Sequence, residues 1–560
     1  MRPICGLHRR ARGHGYLGGE QPRLPAGLLV LRRRRRDRSA GHGDRAATPG
    51  ARPRSRPDRP SRRCPSVTVV NDQRRNDQPW EGRIHSGGWV NGHGASIPVT
   101  EKATAAELGA VGSATAEDLD AAVAAARTAQ RDWAGLPYGE RAGVLLRAAA
   151  LLEAEPERLL PWLVREAGSA QGKAAFELSL VVSELQESAA TASAPYGELL
   201  RSMKPRLSVA RYVPVGVVGV ISPFNFPSIL SMRSVAPALA LGNAVVLKPD
   251  PRTAVAGGMA LAGLLADAGL PPGLLHVLPG GADFGRTLVA HPGIPCVSFT
   301  GSTAAGRAIA AVAAPAFKKL HLELGGNNAL LVLPDLAPEQ MAAAAAAGAW
   351  GSFLHQGQIC MTTGRHLVPR DRHDEYVDLL AAKAEALPAG DPTDPTNALG
   401  PLIDEGQRDK VHGLVTQALA DGARLAAGGR YDGLVYRPTV LGDVAADSSV
   451  AREEIFGPVA PVVSYDSVED AIEMINSDPY GLTVGILAGN PMTAYDLSAR
   501  LEVGMVHIND QTVDDEAVIP FGGIKASGSG GHFGGARANL ESFGHLQWVT
   551  LQAEIERYPF

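Results

Sequence analysis

Residues 353–364, FLHQGQICMTTG, carry Cys360 ahead of a short polar run, Thr362-Thr363-Gly364. An ionised thiol is a nucleophile, but a lone cysteine is more often a small buried hydrophobe. Two upstream stretches change its meaning. Residues 322–326, LELGG, supply the carboxylate of Glu323, and residues 222–227, SPFNFP, supply the side-chain amide of Asn225. A nucleophile, a base and an oxyanion donor are the parts of acyl-type covalent catalysis. Glu323 stands before two adjacent glycines, which let the chain turn and a ligand approach. A carboxylate there can poise a water as general base; the plainer reading is a salt-bridged surface glutamate.

Two further stretches suit a dinucleotide. Residues 299–306, FTGSTAAG, read as a strand end, a Gly301-Ser302-Thr303 turn and a helix start. Backbone N–H groups at such a start suit a pyrophosphate, and a simple N-cap by Ser302 is the other reading. Residues 246–251, VLKPDP, put Lys248 at the C-terminal end of a strand. In a doubly wound sheet that end faces the ligand crevice; elsewhere such a lysine is merely solvated.

The elements that must position these residues follow from periodicity. Strands are expected at 216–222, 244–248, 274–278, 296–299 and 320–323, with helices at 229–241, 254–268, 284–290 and 304–312. Short apolar runs separated by helices imply an α/β fold with a mostly parallel, doubly wound sheet. A second strand–helix series begins at 329–333. It runs through helices at 338–348 and 374–386 to strands at 461–465, 483–487 and 505–508. Residues 390–400 read as a loop near the join of substructures. Ahead of the first series, 83–90 and 95–98 suggest a short hairpin. Helices are expected at 116–136, 141–154, 156–167 and 173–190. In the first, Leu119, Val123, Ala126 and Trp133 recur at helical spacing, with Glu117 and Asp118 in the first turn. Residues 197–212 read as an exposed hairpin and 546–551 as an exposed strand able to pair with another subunit.

The chain has 560 residues, 45% apolar and 20% charged, enough for a large core and more than one domain. No apolar run reaches the roughly 18 residues of a membrane span. Cys5, Cys64, Cys296 and Cys360 show no paired spacing and no histidine cluster, so neither a disulfide framework nor a metal site is expected, and a reducing cytoplasm fits. The net charge of −4 conceals an asymmetry. Residues 1–66 hold 18 Arg, no Lys and 4 acids, and the remainder is acidic with no basic stripe, so nucleic acid is not an expected partner. The first 66 residues lack any helical or strand period, and disorder is expected there. They read as a basic arm for nucleic acid or membrane, as an Arg-rich transit peptide, or as translated upstream sequence with the start near Val67 or Val69. The abrupt change of composition and the missing lysine favour the last.

Taken in order, PFNFP, LKP, FTGSTAAG, LELGG, GQIC, EEIFGPV and PFGGIKASG resemble the aldehyde dehydrogenase superfamily over about residues 80–555. KPDPRTAV, HVLPGG and SFLHQGQICMTTGRH are most similar to benzaldehyde and vanillin dehydrogenases. The resemblance implies a Rossmann-type NAD(P)-binding domain over 79–196 and 214–326 and an α/β catalytic domain over 327–525. It also implies a small β bridging element over 197–213 and 526–560 that makes a homodimer or homotetramer, with 1–78 as the tail. It makes Cys360 the nucleophile, Glu323 the base of deacylation and Asn225 the oxyanion amide. Coenzyme contacts are implied for Ser222, Phe224, Lys248, Asp250, Gly301 and Ser302, with Glu454 and Phe456 at the nicotinamide end.

One departure matters. Many NAD-dependent members read Lys-x-x-Glu, with the Glu on the ribose hydroxyls; here that position is Pro251, and Asp250 stands one residue earlier. Loss of that carboxylate implies NAD with some tolerance of NADP. The implied reaction is NAD(P)-dependent oxidation of an aldehyde to the acid. The apolar neighbours Ile359, Met361, Phe224 and Phe353 suit a flat aromatic aldehyde such as benzaldehyde. No arginine stands in these motifs to clamp a substrate carboxylate, although Arg365 is close in sequence. The alternatives are CoA-acylating, aliphatic or semialdehyde dehydrogenases, or a silent binding protein on the same fold. Glu323 argues against CoA acylation, and the trio Cys360, Glu323 and Asn225 argues against silence.

Overall fold

The computed structural model describes residues 78–560. Residues 1–77 lie outside the described part, and with them the expectation of a disordered arginine-rich tail.

Two seven-stranded sheets organise the molecule. The first runs, in spatial order, Lys319–Glu323, Cys296–Thr300, Val217–Ile221, Ala244–Lys248, Leu275–Val277, Arg83–Ser86 and Trp89–Asn91. Its first five strands are parallel, and the last two form an antiparallel hairpin on the edge. Runs such as VVGVI and CVSFT are buried at every position, as parallel strands covered on both faces require. The chain lays down Val217–Ile221, Ala244–Lys248 and Leu275–Val277 in one direction, then returns past the start to Cys296–Thr300 and Lys319–Glu323. The reversal makes a switch point between Val217–Ile221 and Cys296–Thr300. In open α/β sheets the crevice at such a point, at the strands' carboxyl ends, is where ligands bind.

The second sheet runs Arg424–Ala427, Thr439–Gly442, Val459–Tyr465, Thr363–Pro369, Asn328–Val332, Thr483–Leu487 and Met505–Ile508. It is parallel except for its first pair. Along Asn328–Val332, Ala329 and Leu331 join the core on one face, while Leu330 and Val332 join the core on the other. This is the two-residue alternation of a strand between two helical layers. A third sheet is antiparallel: Gly544–Leu551 pairs Leu207–Pro214, which pairs Gly197–Leu199.

Most expected elements are present with ends shifted by a few residues. Where the composition is atypical the differences have physical causes. Residues 83–91 close a hairpin by themselves, and 95–98 feed a separate one, Ile97–Thr100 against Glu107–Val111. The helix expected over 254–268 opens as a wide π turn, Val255–Met259, before Ala260–Asp267. Two backbone N–H groups of that turn, Val255 and Ala256, donate to the buried Glu166 carboxylate at 3.0 and 2.7 Å. A Cβ at Gly258 would lie 2.7 Å from Val277 Cγ1, so the turn presses on the sheet where only glycine fits. The helices Glu405–Ala420 and Gly535–Phe543 go beyond the expected elements. Gly535–Phe543 packs on the helices Gln171–Thr191 and Pro227–Ala240 of the first half and leads into the third sheet.

Candidate active site

Cys360 follows the helix Met341–Phe353 through three consecutive residues with positive φ: His355 (50°), Gln356 (55°) and Gly357 (66°). Two non-glycine residues in the left-handed region are strained, so surrounding bonds must hold them. Gln356 Nε2 donates to the carbonyls of Gly168 (3.0 Å) and Pro401 (2.8 Å), and Gln358 Oε1 accepts from Ile403 N–H (3.0 Å). A Cβ at Gly357 would sit 2.1 Å from the Gly457 carbonyl oxygen. The GQ before the cysteine is therefore fixed by packing. From the far side, Asn328 Nδ2 donates to the carbonyls of Cys360 and Thr362, both at 2.8 Å. Asn328 was invisible as a site residue; its signal was its place at the first position of a buried strand.

On one side of this loop lies a cavity shared by Cys360 and Asn225. Pro227 opens the helix Pro227–Ala240, and Phe226, Ile229, Leu230 and Arg233, spaced as one helical face, line the cavity wall. Phe176 and Leu180 of Gln171–Thr191 and Val513 and Phe521 of the C-terminal loops complete the apolar lining. Of the expected apolar neighbours, Ile359 and Met361 line it. Phe353 does not: it is fully buried in the core of the second sheet. Phe224 turns away to meet Phe456 edge-on (5.8 Å between ring centres) and the Arg252 guanidinium (4.2 Å).

The arginine near the substrate is also not the one adjacent in sequence. Arg365 points away, bonded to Asp478 Oδ2 (3.1 Å) and the Asn327 carbonyl (2.9 Å). Arg233 lines the cavity instead, paired with Asp515 and 3.9 Å from Glu184 Oε2. Two acids against one guanidinium leave no net positive charge for a substrate carboxylate. Arg233 breaks the apolar pattern of its buried helix, and a buried cation of this kind is the signal by which sequence could find it.

The Asn225 loop is held by a buried ion pair. Lys173 Nζ donates to Glu177 Oε2 (2.6 Å), Ser169 Oγ (3.1 Å) and the Asn225 carbonyl (2.8 Å), and sits 3.9 Å over the Phe226 ring. The other Glu177 oxygen accepts from Ser228 N–H (2.8 Å), at the start of the helix.

On the other side of the loop is a more polar hollow lined by Gly326, Ile359, Glu454 and Phe456. Glu454 Oε1 accepts from Gly326 N–H at 3.0 Å, and a Cβ at Gly325 would lie 2.4 Å from Glu454 Oε2. Bare backbone beside an acid, with Phe456 at φ 57°, makes a cradle for a ligand end. At the switch point, Gly301 N–H donates to the Glu323 carbonyl (3.0 Å), and exposed Ser302 caps the helix Thr303–Ala313 through Ala305 N–H (3.3 Å). Lys248 is buried at the end of its strand, with Nζ 3.3 Å from the Pro249 carbonyl. Ser222 is buried too, its Oγ 2.7 Å from Ser231 Oγ, so its hydroxyl is taken up inside the fold. Asp250 is gripped by Arg252 through both carboxylate oxygens (2.9 and 2.8 Å), and Arg252 reaches on to Asp404 (2.7 Å).

The electrostatics of the loop oppose a resting thiolate. Burial, then the charges of Glu454, Glu323 and Asp515, push the Cys360 thiol up to about 12. Burial also raises Glu454 to about 7 and Glu323 well above the ordinary carboxylate range. Glu454 therefore exchanges a proton near neutrality, and Glu323 holds a proton more readily than an ordinary carboxylate.

A thiol beside an apolar cavity, near an acid-lined hollow and a switch-point crevice, has the surroundings of a covalent nucleophile next to a dinucleotide site. Residues 89–549 match the model of the aldehyde dehydrogenase family. The chain belongs to that family. It is 54% identical to a vanillin dehydrogenase of Amycolatopsis sp. over 86% of this chain and 99% of the relative. It is 48% identical to benzaldehyde dehydrogenase [NAD(+)] of Pseudomonas putida over the same shares. Among solved structures, the NAD+ complex of a Bacillus cereus aldehyde dehydrogenase superposes with a TM-score of 0.82 at 32% identity, covering 87% of this chain and 99% of that one.

Proposed function

We propose that the protein oxidises aromatic aldehydes of the benzaldehyde type to their carboxylic acids with NAD, tolerating NADP. The observation that carries this reading is the cavity joining Cys360 and Asn225 to an apolar wall whose one cation, Arg233, is cancelled by Asp515 and Glu184. Such a pocket accepts a flat neutral ring and gives no purchase to a charged tail. Relatives named for vanillin and benzaldehyde point the same way.

The thiol of Cys360 gives up its proton to solvent and adds to the aldehyde carbon. The Asn225 amide and the Cys360 backbone N–H hold the oxyanion. A bound nicotinamide coenzyme supplies the hydride acceptor; Gly301, Ser302, Lys248, Glu454 and Phe456 would hold it. Glu323 then takes a proton from the water that cleaves the Cys360 thioester. Asp250 is held by Arg252 rather than free for a ribose, which supports tolerance of the 2′-phosphate.

The domain reading assigns 79–196 and 214–326 to the coenzyme, 327–525 to catalysis and 197–213 with 526–560 to assembly. The edge strand Gly544–Leu551 exposes Leu546, Trp548 and Leu551, which suits pairing in a homodimer or homotetramer. Among the described residues no helix is long and apolar enough to cross a membrane, and Cys296 and Cys360 are free thiols, in keeping with a reducing cytoplasm.

The test is steady-state kinetics without CoA on benzaldehyde, vanillin, hexanal and succinic semialdehyde, each with NAD and NADP. The aromatic aldehydes should give the highest kcat/KM. A higher value for succinic semialdehyde overturns the aromatic reading. An NAD preference above about a thousandfold, roughly 4 kcal/mol, overturns the tolerance of NADP.

A further inference from the structure

His321 and Glu323 lie two residues apart on the strand Lys319–Glu323, so their side chains leave the same face. His321 Nε2 is 3.1 Å from Glu323 Oε1, and its Nδ1 is 2.9 Å from Ser542 Oγ on the helix Gly535–Phe543. Ser542 Oγ is in turn 3.2 Å from the His532 carbonyl. All three side chains are buried, and the imidazole is clamped against the Phe533 ring at 3.9 Å between centres. Glu323 Oε2 is buried with no partner.

We infer that His321 is a positioning residue for the base of deacylation: it holds one oxygen of Glu323, leaves the other for water, and supports the carboxyl in both of its protonation states. The inference rests on the assignment of Glu323 as that base.

A neutral imidazole carries one N–H. When Glu323 is a carboxylate, Nε2–H donates to it and Nδ1 accepts from the Ser542 hydroxyl. When Glu323 is an acid, its O–H donates to Nε2, Nδ1–H donates to Ser542 Oγ, and the Ser542 hydroxyl turns to the His532 carbonyl. The cluster holds two protons in the first state and three in the second, and every member has a partner in each. A general base must pass through both states once per turnover, so a buried neighbour that satisfies only one would oppose half the cycle. Burial and the nearby His532, Lys319 and Arg233 push His321 down to about 3, which keeps the ring neutral throughout. The groups facing Glu323 from other elements are Arg233, Asp515 and the Gly523 N–H. Cys360 answers to the Glu323 charge from its own loop.

The experiment follows the pH dependence of the steady rate after the initial burst, with benzaldehyde and NAD, in His321→Leu, His321→Gln, Ser542→Ala and Glu323→Gln. Loss of the Nε2–H donor removes a charge-assisted bond from the carboxylate, so in His321→Leu the acidic limb should move up by about one pH unit. Burst amplitude and aldehyde KM should stay near the parent values. His321→Gln offers an amide at a similar place and should recover most of the shift. Ser542→Ala should move the limb the other way. A buried orphan N–H costs more than an orphan lone pair, which favours the Nε2–H form and the carboxylate. An unmoved limb in His321→Leu, or equal loss of burst and steady rate, overturns the inference. If His321→Leu does not fold, an unmoved limb in Ser542→Ala overturns it. A full steady rate in Glu323→Gln overturns the base assignment and the inference together; a stalled Glu323→Gln with unmoved limbs elsewhere overturns the inference alone.

Discussion

Cys296 and Cys360 are both free thiols, and burial lifts both to about 12. Acidity does not tell them apart; setting does. Cys296 opens the second strand of a five-strand parallel array, fully buried, its Sγ 3.8 Å from the Ser542 carbonyl. Its strand is backbone-bonded to neighbours on both sides. Cys360 stands on a strained loop pinned by Gln356, Gln358 and Asn328, with an apolar cavity on one side and the Glu454 hollow on the other. A nucleophile is thus defined by what can approach it and by which charges can be relieved around it.

The sharpest way to break that contrast is to remove each thiol. Cys360→Ala should lower dehydrogenase turnover by about 10⁴-fold or more, the scale of losing a covalent nucleophile, while leaving coenzyme binding intact. Cys296→Ala should keep turnover within about twofold and cost about 1 kcal/mol of stability, a typical core value. Stopped-flow coenzyme reduction and thermal melts read both. Near-normal turnover in Cys360→Ala would end the assignment.

Around Cys360 the partners can be separated by phase. Glu323→Gln should acylate normally, giving a burst of reduced coenzyme, and then turn over roughly 10²–10⁴-fold more slowly. Asn225→Ala should instead slow the burst itself, by roughly 10²–10³-fold, because it acts on the oxyanion before the thioester forms. If both variants slowed the same phase, the division of labour between cavity side and sheet end would be wrong.

Much of this was legible in the chain because the chemistry sits where local pattern is strong. VVGVI before SPFNFP, and KLHLE before LGG, announce strands ending in loops, and the doubly wound order follows from their spacing. What escaped was long-range pairing. Arg233 is bonded to Asp515 and Asn328 to the Cys360 carbonyl, neither of which leaves a short-range trace. Phe353 is near Cys360 in sequence, but the positive-φ turn at 355–357 carries the chain away from it and leaves its ring in the core of the second sheet. Gly535–Phe543 was hidden by its composition, GARANLESF, in which glycine and polar residues dilute the helical stripe.

The smallest predicted effect tests the electrostatic half of the contrast. After burial, the charge of Glu454 is the largest cause raising Cys360, whereas Lys319 acts on Cys296 in the opposite sense. Glu454→Gln removes a negative charge wherever Glu454 is ionised, that is above about pH 7. Losing that charge lowers the cost of forming the thiolate, so the Cys360 titration should move down in pH. At a fixed pH between 7.5 and 9, on the order of one unit above the Glu454 midpoint, alkylation of Cys360 by iodoacetamide in the coenzyme-free enzyme should quicken by up to about tenfold, one pKa unit being one decade in thiolate fraction. Cys296, shielded in its strand, should stay unlabelled in both proteins. Peptide mass mapping of the labelled sites distinguishes them. A labelling rate at Cys360 that is unchanged in Glu454→Gln would mean that burial alone holds the thiol protonated, and that the acid in the hollow serves the coenzyme without governing the nucleophile.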